Sequence, residues 1–223
     1  MIPRVLEPEA MDSPEEVLEY DAMDHSRVNA QFVGDFLCAH GPNRGGQVLD
    51  VGTGTARIPI ALAQADPQAR ILAMDISPNM LARAAANVAR AGLADRIRCL
   101  CGDVKLLHQA VGQAQFEAVV SNTIIHHIPK PADALRAMIE RTSPGGTLLV
   151  RDLARPASLS ELERLVLIYA GHETPRARDL FAASLHAALT LDEIRQIIRT
   201  LGLPGDRVVM TSDRHWTLKW KLQ

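Results

Sequence analysis

Apolar residues in this chain fall in short runs separated by longer stretches with helical spacing, and from Val48 onward the alternation is regular. "QVLDV" has the length of a strand, and "RILAMDI", "RIRCLCGD", "FEAVVSNTII" and "TLLVRDL" repeat the pattern. Between them lie "ARIPIALAQA", "SPNMLARAAANVARAG" and "PADALRAMIERT", in which apolar side chains recur on one helical face. Ser77 is placed to cap the second of these helices, Pro78 suits its first turn, and Gly92 follows its end. "PGG", at 144–146, is expected to close the third. Strands that alternate with helices predict parallel pairing under helices on both faces, and the nearly unbroken apolar strands agree.

The tail follows a different rule. "RVVMTSD" and "HWTLKWK" are separated only by a polar turn, too short for the crossover of about a dozen residues that parallel neighbours need. The last strand is therefore expected to run antiparallel to the one before it, with Trp216 and Trp220 on one face as packing residues. Residues 13–40 read as one or two helices ahead of the sheet. Residues 156–190 read as a helical insertion in the fifth crossover. The expected organisation is an N-terminal helical cap segment, 1–44, and a main α/β domain, 45–223. Extra helices at these places are expected over the carboxyl ends of the strands, where open α/β sheets bind ligands.

Composition narrows the class. Of 223 residues, 47% are hydrophobic and 22% charged, which suits a globular domain with a sizeable core. A formal net charge of −2 offers little to a phosphate backbone, so no nucleic-acid partner is expected. Three cysteines (Cys38, Cys99 and Cys101) without a Cys-x-x-Cys encode neither a disulfide framework nor a zinc site, and are expected to be buried small hydrophobes. The N-terminal stretch lacks a signal pattern and no apolar run approaches a membrane span. The expectation is a cytoplasmic protein without membrane contact, its oligomeric state left open.

The candidate chemistry starts at "VLDVGTGTARI", 48–58. A dinucleotide fingerprint counted from Gly52 would put its third glycine at position 57, which is Arg57; the small residue, Ala56, comes one place early. Asp50 would repel a pyrophosphate, yet it suits a ligand carrying an ammonium and a sulfonium. The turn's backbone N–H groups and a helix beginning near Thr55 are expected to favour a carboxylate. Asp75 ends the second strand, 21 residues after Gly54, where an acid can accept both hydroxyls of a ribose. Gly102 and Asp103 end the third strand, where a carboxylate can accept from an exocyclic adenine amine. Amino acid, ribose and adenine together describe S-adenosylmethionine.

Taken with "MDISPNML", "GDV", "SNTIIHHIP" and "SPGGTLLVRDL", this turn resembles the class I S-adenosylmethionine-dependent methyltransferases, and most closely the small-molecule enzymes related to ubiquinone and menaquinone biosynthesis. The resemblance spans about 45–155 and implies a Rossmann-like seven-stranded sheet, mostly parallel, with an antiparallel last strand. It implies cofactor contacts for Asp50, Gly52, Thr53 and Gly54 at the methionine end, and for Asp75 at the ribose. Ile76 and Met80 would pack on the adenine, with Gly102, Asp103 and Val104 at its edge. Ser121 and Asn122 would lie near the sulfonium, and Tyr20 would close over the cofactor.

His126 and His127, beyond the fourth strand, are the candidate general bases, although the same "HHIP" also suits a structural turn. Adjacent histidines rarely point at one ion and no carboxylate is spaced to join them, so no metal is expected. His172, Arg176, Arg178 and His186, in the helical insertion, are candidates for the acceptor side. The resemblance implies a methyltransferase acting on a small organic acceptor. "SNTI" stands where base- and glutamine-methylating relatives carry an Asn/Asp-Pro-Pro-aromatic tetrapeptide, which disfavours a nucleic-acid or protein acceptor. The other readings are a non-catalytic module that binds S-adenosylmethionine and a nicotinamide-dependent oxidoreductase.

Overall fold

The computed structural model describes residues 2–7 and 13–222. Two helices, α1 (Pro14–Ala22) and α2 (Ser26–His40), precede β1 (Gly46–Val51), α3 (Arg57–Ala65), β2 (Ala69–Asp75), α4 (Pro78–Arg90) and β3 (Ile97–Cys101). A short α5 (Leu107–Val111), β4 (Phe116–Asn122), α6 (Pro131–Arg141) and β5 (Thr142–Leu153) follow. The chain continues through α7 (Leu159–Ala170), α8 (Pro175–Ala187), α9 (Leu191–Thr200), β6 (Val208–Met210) and β7 (His215–Lys221).

The strands form one seven-stranded sheet in the order β3-β2-β1-β4-β5-β7-β6. β1 pairs in parallel with β2 and β4, and β2 with β3, whereas β6 and β7 are antiparallel, as the short polar turn requires. This is the Rossmann-like architecture that the alternating pattern implies.

The chain divides into two compact units. One contains the described residues of Ala10–Asn122, Asp133–Val150 and Lys219–Gln223, so the expected boundary at 44/45 falls inside it. Its core joins Phe32 and Phe36, one helical turn apart on α2, to Leu62 of α3, Val88 of α4 and the strand residues Val48, Ile71 and Ala118, all buried. Each large side chain removed from water in this way contributes roughly 1.5–3 kcal/mol. α4 starts as its sequence demands: Pro78 occupies the first turn and the Ser77 hydroxyl accepts from the Met80 N–H at 3.1 Å.

The other unit contains the described part of Met1–Glu9 together with Thr123–Ala132 and Arg151–Leu218. α7 and α8, the expected insertion, pack here through Leu162, Leu165 and Leu185 against Leu153, with Ala188, just past the end of α8, in the same cluster. The capping box of α9 is complete, with Thr190 and Glu193 exchanging side-chain and backbone hydrogen bonds.

Some boundaries depart from the sequence reading. β4 ends at Asn122 rather than running through Ile125, because Thr123 takes a left-handed conformation (φ +57°) and Ile125–His127 curl into a 3-10 turn. "PGG" belongs to β5 instead of merely closing a helix: the Gly145 N–H donates to Leu222 O, and Gly146 O accepts from the Leu222 N–H. The C-terminal strand recruits these residues, which local propensity alone would leave in a turn. Cys38 and Cys101 are exposed and only Cys99 is partly covered, against the core of α4 and its neighbours, so the expectation of three buried cysteines fails. Trp216 is fully buried, and Trp220 is partly so.

Candidate functional site

Register sets the site. Parallel pairing aligns Val51 with Met74 and with Ser121, and Asp75 with Cys101. The carboxyl ends of β3, β2, β1 and β4 therefore stand side by side, with the chain reversing direction across the sheet between β1 and β4. That is where open α/β sheets bind ligands. Asp50, Asp75, Gly102, Asp103, Ser121 and Asn122 all fall at these ends, within one unit.

The glycine turn is wired tightly into β2. The N–H groups of Gly52 and Thr53 both donate to Met74 O, at 2.8 and 2.9 Å. The Gly54 N–H donates to Asp75 Oδ2 at 2.7 Å, which fixes the turn to the strand end 21 residues later. Gly52 (φ +75°) and Gly54 (φ +54°) hold left-handed conformations that glycine adopts without strain, and Ala56 follows at φ +61°. The expectation that these three N–H groups point at a ligand carboxylate is thus corrected: β2 already takes them. Likewise α3 begins at Arg57 rather than near Thr55, because left-handed Ala56 interrupts the helical path.

The acids differ in what surrounds them. Asp50 is buried, and its Oδ2 has no hydrogen-bond partner among the described residues; the Thr53 hydroxyl lies close enough to favour its ionised form without completing a bond. Burial, reinforced by the charge of Asp75, pushes the Asp50 carboxyl up to about 7. Asp75 is also raised by burial, although N–H groups of Ser77, Gly54 and Ile76 counter the effect. Its two oxygens accept from Gly54 and Ser77, so each keeps a lone pair for a further donor. Asp103 is less enclosed, accepting from the Lys105 N–H at 2.8 Å with the Lys105 ammonium 3.4 Å away. Two adjacent, desolvated carboxyls with one oxygen unpaired form a site that a cationic, donor-rich ligand would complete.

The remaining candidates divide by location. Tyr20 lies on α1 and comes within 3.7 Å of where a Cβ on Gly54 would stand. Burial and the charges of Asp75, Asp21 and Asp50 raise its phenol, which stays a hydrogen-bond donor at neutral pH. Ser121 is buried and donates to Val51 O at 2.9 Å, a bond that ties β4 to β1. Met80 is buried at the start of α4, Val104 opens a 3-10 turn, and Ile76 is exposed at the end of β2. Gly102 leaves no space for a side chain, since a Cβ would stand 2.9 Å from Ala110 and 3.0 Å from the Met74 sulfur.

Sequence reasoning missed Asp21. Its buried carboxylate accepts from Arg83 at 2.6 Å, Arg57 at 3.0 Å and Asn87 at 2.9 Å, joining α1 to α3 and α4. The residue that replaces the fingerprint's third glycine is therefore a strut holding the Tyr20 helix beside the glycine turn. The signal was an acid next to Tyr20, which means nothing until its partners converge.

The histidine candidates occupy the other unit. His126 is buried, and its Nδ1 lies 2.5 Å from Asp152 Oδ1 while its backbone N–H donates to Asp152 Oδ2 at 3.1 Å. Its Nε2 is 3.3 Å from Glu7 Oε1. Burial alone would lower its pKa; the carboxylates of Asp152 and Glu7 prevail and lift it to about 9. His127 Nδ1 also lies 3.3 Å from Glu7 Oε1. His172 is exposed in the turn between α7 and α8, Arg176 and Arg178 lie on α8, and His186 sits half-buried near its end.

Known proteins match this arrangement. A methyltransferase-domain family model covers residues 42–211. A tRNA1(Val) (adenine(37)-N6)-methyltransferase of Porphyromonas gingivalis is 35% identical over 162 residues, covering 67% of this chain and 59% of that protein. An uncharacterized methyltransferase of Mycobacterium tuberculosis is 33% identical over 162 residues, covering 71% and 78%. A trans-aconitate 2-methyltransferase of Streptomyces avermitilis is 31% identical over 107 residues, covering 48% and 39%. The match thus spans 59% of the Porphyromonas protein, and 32% of an uncharacterized Synechococcus protein. Among solved structures, a putative S-adenosyl-L-methionine-dependent methyltransferase from Methanococcus maripaludis superposes with a TM-score of 0.72 at 17% identity, covering 98% of both chains. The plantazolicin methyltransferase, in complex with a triazolic desmethylPZN analogue and SAH, gives 0.68 at 18%, covering 84% of this chain and 66% of its own. With a family model that spans most of its length and a sheet of matching topology, this chain belongs to the class I methyltransferase-domain family.

Proposed function

We propose that the protein is a methyltransferase that binds S-adenosylmethionine at the ends of β1–β4 and methylates a small organic acceptor. The observation that carries this reading is Asp50: a buried carboxyl with an unpaired oxygen, beside a second acid, in need of a cation. In this reading Asp50 faces the ammonium, Asp75 accepts the ribose hydroxyls and Asp103 takes the adenine amine. Gly52, Thr53 and Gly54 shape the floor, Gly102 and Val104 line the adenine edge with Ile76 and Met80, and Ser121 and Asn122 border the sulfonium. Tyr20 closes the site from α1.

The bound cosubstrate supplies a methyl carbon activated by positive sulfur, so the protein's work is to hold, align and exclude water. A dedicated base is optional for such a transfer. His126, encased by Asp152 and held as an imidazolium, lacks a lone pair for that task. His127 is the better of the two candidates. His172, Arg176 and His186 are retained for the acceptor on their sequence position alone.

A small acceptor is supported by the net charge of −2 and by "SNTI" in place of the Pro-Pro-aromatic tetrapeptide. A nucleic-acid acceptor is the second reading, favoured by the name of the Porphyromonas relative. Transfer of labelled methyl groups to a metabolite panel and to bulk tRNA separates the two. For the cofactor, calorimetry should give tight uptake of S-adenosylhomocysteine and none of NAD. Asp75→Ala is expected to weaken binding by about 1–3 kcal/mol, through ribose hydroxyls left without an acceptor. An unchanged affinity in this variant would refute the ribose assignment.

A further inference from the structure

Away from the glycine turn, the chain brings three metal-ligating side chains together from distant points in the sequence. Glu7 Oε1, His126 Nε2 and His127 Nδ1 each offer one ligand atom, all within 4.8 Å of one another. We propose that Glu7, His126 and His127 form a binding site for a divalent transition metal of the zinc class, with Asp152 orienting His126.

Four observations argue for it. First, the spacing: Glu7 Oε1 stands 3.3 Å from each imidazole nitrogen. A charge-assisted hydrogen bond would be shorter, about 2.7–2.9 Å. Ligands about 2.0–2.1 Å from a tetrahedral ion stand roughly 3.3 Å apart. Second, Glu7 Oε1 is buried, on a side chain only 10% exposed, and among the described residues it completes no hydrogen bond of good geometry, its nearest polar neighbours being the two imidazoles. The neighbouring imidazoles favour its ionised form, the form in which a carboxylate ligates, and an ion between the three groups would bond that oxygen directly. Third, Asp152 holds the opposite nitrogen of His126 at 2.5 Å, the outer-shell carboxylate that fixes the tautomer of a ligating histidine, and an incoming ion would displace the proton that Nε2 carries in the metal-free protein. Fourth, the His127 side chain is 18% exposed, which leaves an edge through which an ion can enter.

Two histidines and one glutamate are a borderline donor set, suited to zinc or cobalt rather than calcium or magnesium. The adjacent histidines lacked a carboxylate in the sequence pattern because that carboxylate arrives from the N-terminal segment. This segment is also anchored by Arg4, which donates to the carbonyls of Ala187, His126 and Ile128. A bound ion would add a further tether between the segment and the 3-10 turn. The site is independent of the cofactor reading above.

The test titrates chelator-treated, full-length protein with Zn2+ and with Co2+. One equivalent should bind, Co2+ should show visible bands of tetrahedral intensity, and thermal unfolding should shift upward on loading. Glu7→Gln, a substitution at a partly exposed position, should keep the fold by circular dichroism, lose the tetrahedral bands and weaken Zn2+ uptake at least about tenfold. His127→Ala should do the same. Folded wild-type protein that takes up neither ion overturns the proposal. So does a Glu7→Gln protein that binds Zn2+ as tightly as wild type, because the ion would then be held by other histidines.

Discussion

Asp50 shows how a single residue can trade stability for binding. Burial beside Asp75 lifts its carboxyl to about 7, so near neutral pH the ligand-free protein keeps about half of it protonated. An ammonium placed against Oδ2 would hold it ionised, and cofactor uptake should therefore release protons near pH 7. Calorimetry in buffers of different ionisation enthalpy reads that release directly, and affinity should rise between pH 6 and 8. Asp50→Asn keeps the shape and removes the charge. It should raise the unfolding free energy of the ligand-free protein at pH 8 by roughly 1–3 kcal/mol, while abolishing measurable cofactor binding. A variant that loses stability instead would mean that the carboxylate is already satisfied without a ligand.

At the level of elements, local signals were read most easily where a short pattern contains its own cause. Ser77, Pro78 and Gly92 place α4 because a cap, a fixed φ and a left-handed terminus are local chemistry. Removing the cap with Ser77→Ala should cost about 1 kcal/mol in chemical denaturation, and should also loosen the Met80 N–H it holds. The strand ends carrying Asp50, Asp75 and Asp103 were legible for a similar reason, since strand alternation and glycine spacing fix which end of the sheet they occupy. Partners that arrive from far along the chain were not legible. Arg57 looked like a defect in a glycine fingerprint until Asp21 met it, 36 residues away. "PGG" looked like a helix stop until Leu222 paired with it. Glu7 gave no sign that it would reach His126 and His127. In each case the information lies in tertiary contact rather than in any window of sequence.

The whole molecule sums such residues into a dependence of stability on pH. Burial would raise the Asp21 carboxyl, yet Arg83, with Thr55, Arg57 and Asn87, holds it at about 2. The folded state therefore binds that proton less readily than the unfolded chain, whose aspartates titrate near 3.8. The resulting stability is complete above that value and is lost as pH falls toward 2, a contribution of roughly 2 kcal/mol. Asp50 acts in the opposite sense. Its raised carboxyl keeps a proton that the unfolded chain has already released, so stability falls as pH rises from about 4 to 7, by up to about 4 kcal/mol. Above that range the His126 imidazolium, paired with Asp152 and Glu7, gives up its stabilisation as pH climbs toward 9. Ligand-free protein in metal-free buffer should thus be most stable in mildly acidic solution, declining on both sides. Denaturation midpoints measured from pH 2 to 9 would trace this dome. Asp21→Asn should flatten its acid side and Asp50→Asn its neutral side, each leaving the other side in place. Saturating S-adenosylhomocysteine should flatten the neutral side in the wild type, because the ligand supplies the charge that Asp50 lacks. If the wild-type midpoint instead rises steadily between pH 4 and 7, the buried acid at the end of β1 is paired within the protein, and the argument for a cationic ligand loses its basis.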